Sequence, residues 1–115
     1  MSLTRQELID YCLTFPDAFE DYPFDGETPF LRRRSNRKGF ALFINVRGTE
    51  CVNLKCHPDR AELYRLVYRD VTPGFHMNKT HWNTVRIGGD VPDDELLSMI
   101  AHSYELAAPP RRRPR

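Results

Sequence analysis

The clearest alternation along the chain runs from Phe40 to Val46, where Phe40, Leu42, Ile44 and Val46 alternate with Ala41, Phe43 and Asn45. A period of two predicts a strand, because successive strand side chains point to opposite faces. Cys51 to Cys56 predicts the next strand, with Val52, Leu54 and Cys56 on one face. Thr28 to Arg34 predicts the one before, with Phe30 and Leu31 as its apolar part. Ser35-Asn36-Arg37-Lys38-Gly39 and Arg47-Gly48-Thr49 are turn signals. Three strands joined by short turns make an antiparallel meander.

Helical spacing occurs in three other places. Thr4-Arg5-Gln6-Glu7 is a capping box, with Leu3 and Leu8 at staple positions. It opens a helix whose face is Leu8, Ile9, Cys12 and Leu13 and which Pro16 ends. Pro58 suits a first helical position behind a His57 cap. Leu63, Leu66, Val67, Tyr64 and Tyr68 then recur at helical spacing to about Asp70. Pro92-Asp93-Asp94-Glu95 places acids at a helix start, where the dipole favours them. Leu96, Leu97, Ile100, Tyr104 and Leu106 carry that helix to about Ala107.

Between these elements, Asp17 to Gly26 reads as an acidic, aromatic loop. Phe75–Met77 and Trp82–Ile87 read as two strands around the tip Asn78-Lys79-Thr80-His81. The predicted order is helix, three strands, helix, two strands, helix. Blocks of strands and helices favour α+β, with an antiparallel sheet of about five strands and helices packed on one face. One domain is expected over residues 1–108, followed by a disordered, arginine-rich tail over 109–115.

Composition narrows the class. With 115 residues, 29% charged and 40% hydrophobic, the chain has the profile of a soluble globular domain. Cys12, Cys51 and Cys56 match no zinc or redox spacing, and a reducing compartment suits them. No apolar run nears the ~20 residues that span a bilayer, and no apolar signal region opens the chain. The expected setting is the cytoplasm, with no membrane partner.

The net charge of +1 hides a division. Residues 1–27 carry one arginine against seven acids, whereas Arg32, Arg33, Arg34, Arg37 and Lys38 cluster without an acid. The tail adds Arg111, Arg112, Arg113 and Arg115. Any attraction to nucleic acid must therefore come from local patches.

The segment from His76 to Val85, His-Met-Asn-Lys-Thr-His-Trp-Asn-Thr-Val, closely resembles the hallmark of the MmcQ/YjbR family. Asp90-Val91-Pro92-Asp93-Asp94-Glu95-Leu96 and His102-Ser103-Tyr104-Glu105-Leu106 resemble it too. Glu20-Asp21-Tyr22-Pro23-Phe24 and Leu54-Lys55-Cys56 before the Pro58 helix also fit. The resemblance runs from about Tyr11 to Leu106. It implies a frataxin-like (CyaY-like) fold and a proposed DNA-binding role through a double wing of hairpins.

On that reading, Arg32, Arg33, Arg34, Asn36, Arg37 and Lys38 form the first wing, and Asn78, Lys79, Thr80 and His81 the second. Cations at exposed tips meet phosphates, and the amide and hydroxyl groups reach phosphate or base edges. The plainer reading of the first run is a solubilising turn that keeps an edge strand from aggregating. For Asn78 and Asn83 it is hydrogen bonding to local backbone. For Trp82 it is a core anchor.

Neither a cofactor nor a metal is expected. The histidine and cysteine spacings match no zinc site, and only Glu7 and Asp10 of the N-terminal acids share a helix face. No nucleophile–base pair is evident: Cys56 and His57 are neighbours in sequence and would not face one another. The leading expectation is a non-enzymatic DNA-binding protein. The alternative is a protein-interaction or small-ligand module built from the His76–Thr84 hairpin and the acidic N-terminal region. An unidentified protein partner belongs to that alternative.

Overall fold

The computed structural model describes residues 2–110. Its elements are α1 (Arg5–Leu13), β1 (Ala18–Asp21), β2 (Phe30–Arg33), β3 (Gly39–Val46), β4 (Thr49–Lys55), α2 (Pro58–Val67), β5 (Val71–Pro73), β6 (Trp82–Arg86) and α3 (Asp93–Leu106). Six strands form one antiparallel sheet in the order β1-β2-β3-β4-β6-β5. The fold is α+β, as the pattern predicts, with one strand more than expected.

Cross-strand partners share a face, which identifies the covered side of the sheet. Ala41 stands opposite Leu54, and Phe43 opposite Val52, which in turn faces Val85. These residues join Leu8, Ile9 and Cys12 of α1 and Leu96, Met99 and Ile100 of α3 in one core. The Asn83 amide, beside Leu54, donates to the Ala61 carbonyl of α2 at 3.2 Å. Among the described residues, the opposite face, with Leu42, Ile44, Asn53 and Thr84, has no helix on it.

The capping box forms as predicted: Thr4 Oγ1 accepts from the Glu7 amide and Glu7 Oε1 from the Thr4 amide. His57 caps α2 by accepting from the Asp59 amide.

Three expectations need correction. Part of the acidic loop is strand β1, whose residues are all half-buried and which lies at the sheet edge. Phe75–Met77 is not a strand; the strand before the tip is Val71–Pro73. Pro73 is tolerated because β5 is the other edge strand, where a missing N–H costs no ladder bond. The apolar residues of α2 also divide differently. Ala61, Tyr64 and Tyr68 turn inward, and Leu63, Leu66 and Val67 are exposed.

Candidate nucleic-acid interface

Strand direction decides where the two predicted wings lie. β2 runs toward the turn at residues 34–38, and β3 runs back from it. β4 is antiparallel to β3, so its last residue, Lys55, lies at the end of the sheet that bears that turn. Trp82 is paired with Lys55, and Pro73 with Asn83. The 74–81 connection between β5 and β6 therefore rises from this same end. Three strand spacings of about 4.8 Å separate the centres of the two hairpins, or about 14 Å.

The first turn sorts its cations into two kinds. Arg32 bonds Asp21 through Nη1 at 2.6 Å and the Arg37 carbonyl through Nε at 2.7 Å. Arg33 bonds Asp17 at 3.2 Å and the Tyr104 carbonyl at 2.9 Å. Its guanidinium carbon also lies 3.9 Å from the Tyr104 ring centroid. The Asn36 amide donates to the Ala107 carbonyl at 2.8 Å. Helix α3 has no basic residue in its last turn, so Arg33 and Asn36 satisfy carbonyls that a helix end leaves unpaired.

Arg34, Arg37 and Lys38, by contrast, are exposed. The Arg34 and Arg37 guanidiniums flank the Phe19 ring at 5.2 and 5.6 Å. A guanidinium over a ring face keeps its edge donors free for an anion.

The second wing is a self-braced loop. Asn78 Oδ1 accepts from the amides of Thr80 and His81, the local bonding expected of it. Lys79 Nζ donates to the Gly74 carbonyl at 3.0 Å. Lys79, Thr80 and His81 are exposed. Trp82 is 8% exposed, which makes it the core anchor of the plainer reading.

Between the wings lie cations that sequence reasoning did not single out. Lys55 sits over the Trp82 ring at 5.7 Å. Burial and the neighbouring Lys38 pull its ammonium below the ordinary lysine value. The His57 amide donates to His102 Nε2 at 3.3 Å, and Arg60 Nη1 approaches His102 Nδ1 at 3.3 Å. Burial first and then Arg60 hold His102 below its usual value, with Glu105 opposing them and His57 adding the smallest effect. No spacing rule finds this group, because it assembles from the end of β4, the start of α2 and the last turns of α3. Two acids stand beside this group: Asp59 Oδ2 lies 4.0 Å from His57 Nδ1, and Glu105 acts on His102.

Chemistry beyond electrostatics finds little support at this end. Among the described residues, no group of three or more His, Cys, Asp or Glu side chains could hold a metal ion. All three cysteines are free and buried, and burial pushes the Cys12 thiol up to about 12. The Tyr104 hydroxyl donates to the Pro16 carbonyl. Ser103 is buried, donating to the Phe40 carbonyl and accepting from the Lys55 amide. Among the described residues, no helix is long and apolar enough to cross a membrane.

Known proteins share this fold. The chain is 33% identical over 105 residues to the uncharacterised protein YjbR of Escherichia coli K12, covering 91% of this chain and 87% of that one. It is 28% identical to the uncharacterised protein YyaQ of Bacillus subtilis 168, covering 90% of this chain and 98% of that one. The crystal structure of a Pseudomonas syringae protein superposes with a TM-score of 0.84 at 27% identity, covering 92% of this chain and 100% of that one. The Deinococcus radiodurans protein DR2400, with a DUF419 domain, gives 0.78 at 33% identity over 90% of this chain and 77% of its own. The sequence model of the YjbR family matches residues 13–106, which run from the end of α1 through both wings to the last residue of α3. The chain belongs to the YjbR family.

Proposed function

We propose that the chain is a non-enzymatic DNA-binding protein that grips the phosphate backbone with two hairpin tips. One observation carries this reading: both tips rise from the same end of the sheet, on hairpins whose centres are about 14 Å apart by strand spacing. That separation is close to the ~12 Å width of the DNA major groove. The tips would then rest on the two backbones that border the groove. Arg34, Arg37 and Lys38 serve one backbone, and Lys79 the other. Thr80 and His81 add hydroxyl and imidazole groups at the second tip. Lys55 and Arg60 supply positive potential between them.

Four phosphate contacts give a salt slope of about −3.6, so affinity falls roughly a hundredfold from 50 to 200 mM salt. A fluorescence-polarisation titration of a labelled duplex at both concentrations measures this. The Arg34→Ala/Lys38→Ala variant should lower the slope by about 2. Absence of binding at 50 mM salt would overturn the proposal.

A second reading, a small-ligand module, has a specific observation behind it. His76 and Asp25, one from each region of that alternative, line the same groove on the helix-free face of the sheet. His81 and Trp82 are not part of that groove.

A further inference from the structure

The helix-free face is divided in two by Phe75, which the 74–81 loop carries over it. The Phe75 amide donates to Thr84 Oγ1 at 2.8 Å, and its carbonyl accepts from Asn53 Nδ2 at 3.0 Å. The Thr84 hydroxyl donates to Asn53 Oδ1, which closes the network. Asn53 is 0% exposed and Thr84 5%. Phe75 is thereby fixed over the sheet before any ligand arrives.

On one side of Phe75 lies a groove of about 540 Å³. Leu42 and Ile44 floor it, and Phe24, Phe75 and Met77 wall it, with His76 on the rim. Phe24 is 66% exposed, far more than an aromatic ring held only for packing. His76 adopts φ 58°, a left-handed conformation that costs a residue other than glycine about 1–2 kcal/mol. Such strain is tolerated most often where a side chain has a task. Asp25 also lines this groove, but its oxygens accept from the Glu27 and Thr28 amides and the Thr28 hydroxyl.

On the other side lies a groove of about 270 Å³, lined by Thr49, Thr72, Arg69 and Arg86. Both arginines are exposed, and among the described residues neither guanidinium has a hydrogen bond or ion pair. Asp70 lines this groove too, with one oxygen accepting from the Asp90 amide at 2.9 Å. The two grooves meet across the sheet, since Ile44 stands opposite Cys51 and Cys51 opposite Arg86. From β3 to β6 is two strand spacings, about 10 Å. One side is apolar and aromatic; the other offers two unpaired cations and two hydroxyls.

We propose that this face binds a small aromatic anion about 8–10 Å long, its ring on Leu42 and Ile44 between Phe24 and Phe75 and its anionic group against Arg69 and Arg86. The inference rests on the small-ligand reading and is independent of DNA binding. Charge complementarity selects an anion over a neutral apolar molecule. The carboxylate and phosphate forms of such a ligand share this chemistry.

The probe is 8-anilinonaphthalene-1-sulfonate, titrated by fluorescence into the full chain. Saturable one-to-one binding is expected. It should weaken roughly tenfold in Arg69→Ala/Arg86→Ala and about three- to fivefold in Phe24→Ala, all three residues being exposed so that the fold survives. Leu66→Ser, which alters the exposed apolar stripe of α2, should leave it unchanged. Displacement by naphthoate but not by adenosine monophosphate would assign a carboxylate ligand, and the reverse a nucleotide. Binding that resists both competitors, or that Leu66→Ser removes, overturns the proposal. Binding weakened by Phe24→Ala but indifferent to the arginines would overturn the anion and leave the ligand groove standing. No saturable binding at all would remove both.

Discussion

The two tips at the basic end reach the same place by opposite means. The 34–38 turn is fastened to the rest of the molecule: Arg33 and Asn36 hold the carbonyls of Tyr104 and Ala107 at the end of α3. The 74–81 loop is fastened at its start, where Asn53 and Thr84 pin Phe75, and at its end, where Arg65 donates to the Lys79 carbonyl and the Cys56 amide to the His81 carbonyl; between these it bonds to itself. One sequence run of cations is thus divided between anchoring and display. The other has a single cation, Lys79, which is exposed and also braces the loop at the Gly74 carbonyl. The lesson is that charge density along a chain does not measure charge available to a partner. A guanidinium that satisfies a helix end is structural, however basic its neighbours.

Asn53→Ala tests the pin and should have the largest effect. It strands the Phe75 carbonyl and the Thr84 hydroxyl on a buried site, costing about 3 kcal/mol in a urea melt. A loss below about 1 kcal/mol would mean that the loop does not depend on the sheet for its position. Next comes Arg33→Ala, which removes an ion pair, a helix-end hydrogen bond and a ring contact, for about 2 kcal/mol. Arg34→Ala should stay within about 0.5 kcal/mol of the parent. DNA affinity should order these two variants the other way, in a titration at low salt. Equal instability of the two would erase the division of labour within the turn.

Asn36→Ala should cost about 1 kcal/mol, since it frees one α3 carbonyl and the Lys38 amide in a half-exposed place. The smallest effect is confined to acid. Asp17 is held below the ordinary aspartate value of 3.8, first by the Ser35 hydroxyl and then by Arg33. Its stabilisation is therefore complete above that value and is lost as pH falls through the lower folded one. Asp17→Asn should flatten the acid limb of a stability–pH curve below about pH 4 and leave its neutral region with the same slope. An unchanged acid limb would show that Arg33 is held by α3 alone.

Much of this architecture was legible in the residues. The Thr4–Glu7 capping box, the alternation of Phe40–Val46 and the Pro58 start are local signals, and each forms where it is read. Strand β1 escaped because edge strands bury little. Ala18–Asp21 has one large apolar residue, and Phe19 pairs with Arg32 across the ladder. Asp21 does pair diagonally with Arg32 of β2, a cross-strand signal that reading one segment at a time does not reveal. Pro73, which cannot donate to a ladder, hid the three-residue β5. For Leu63, Leu66 and Val67, helical spacing gave a face but not which way it turned.

The site was legible in part for the same reason. A turn rich in cations announces itself, but its partners at Tyr104 and Ala107 lie 71 residues away. The cluster of Lys55, His57, Arg60 and His102, in which Lys55 and Arg60 carry the charge, exists only once β4, α2 and α3 meet. The paired grooves around Phe75 depend on strand register, which brings Ile44, Cys51 and Arg86 into line.

The pin at Phe75 also bears on how such a protein diversifies. Asn53 and Thr84 fix the loop by backbone groups of one residue, and the exposed side chains of Thr80 and His81 take no part in that fixing. Replacements at those two positions can therefore accumulate without a folding penalty. The loop's stem thus carries its stability, and the tip's side chains can change without touching it.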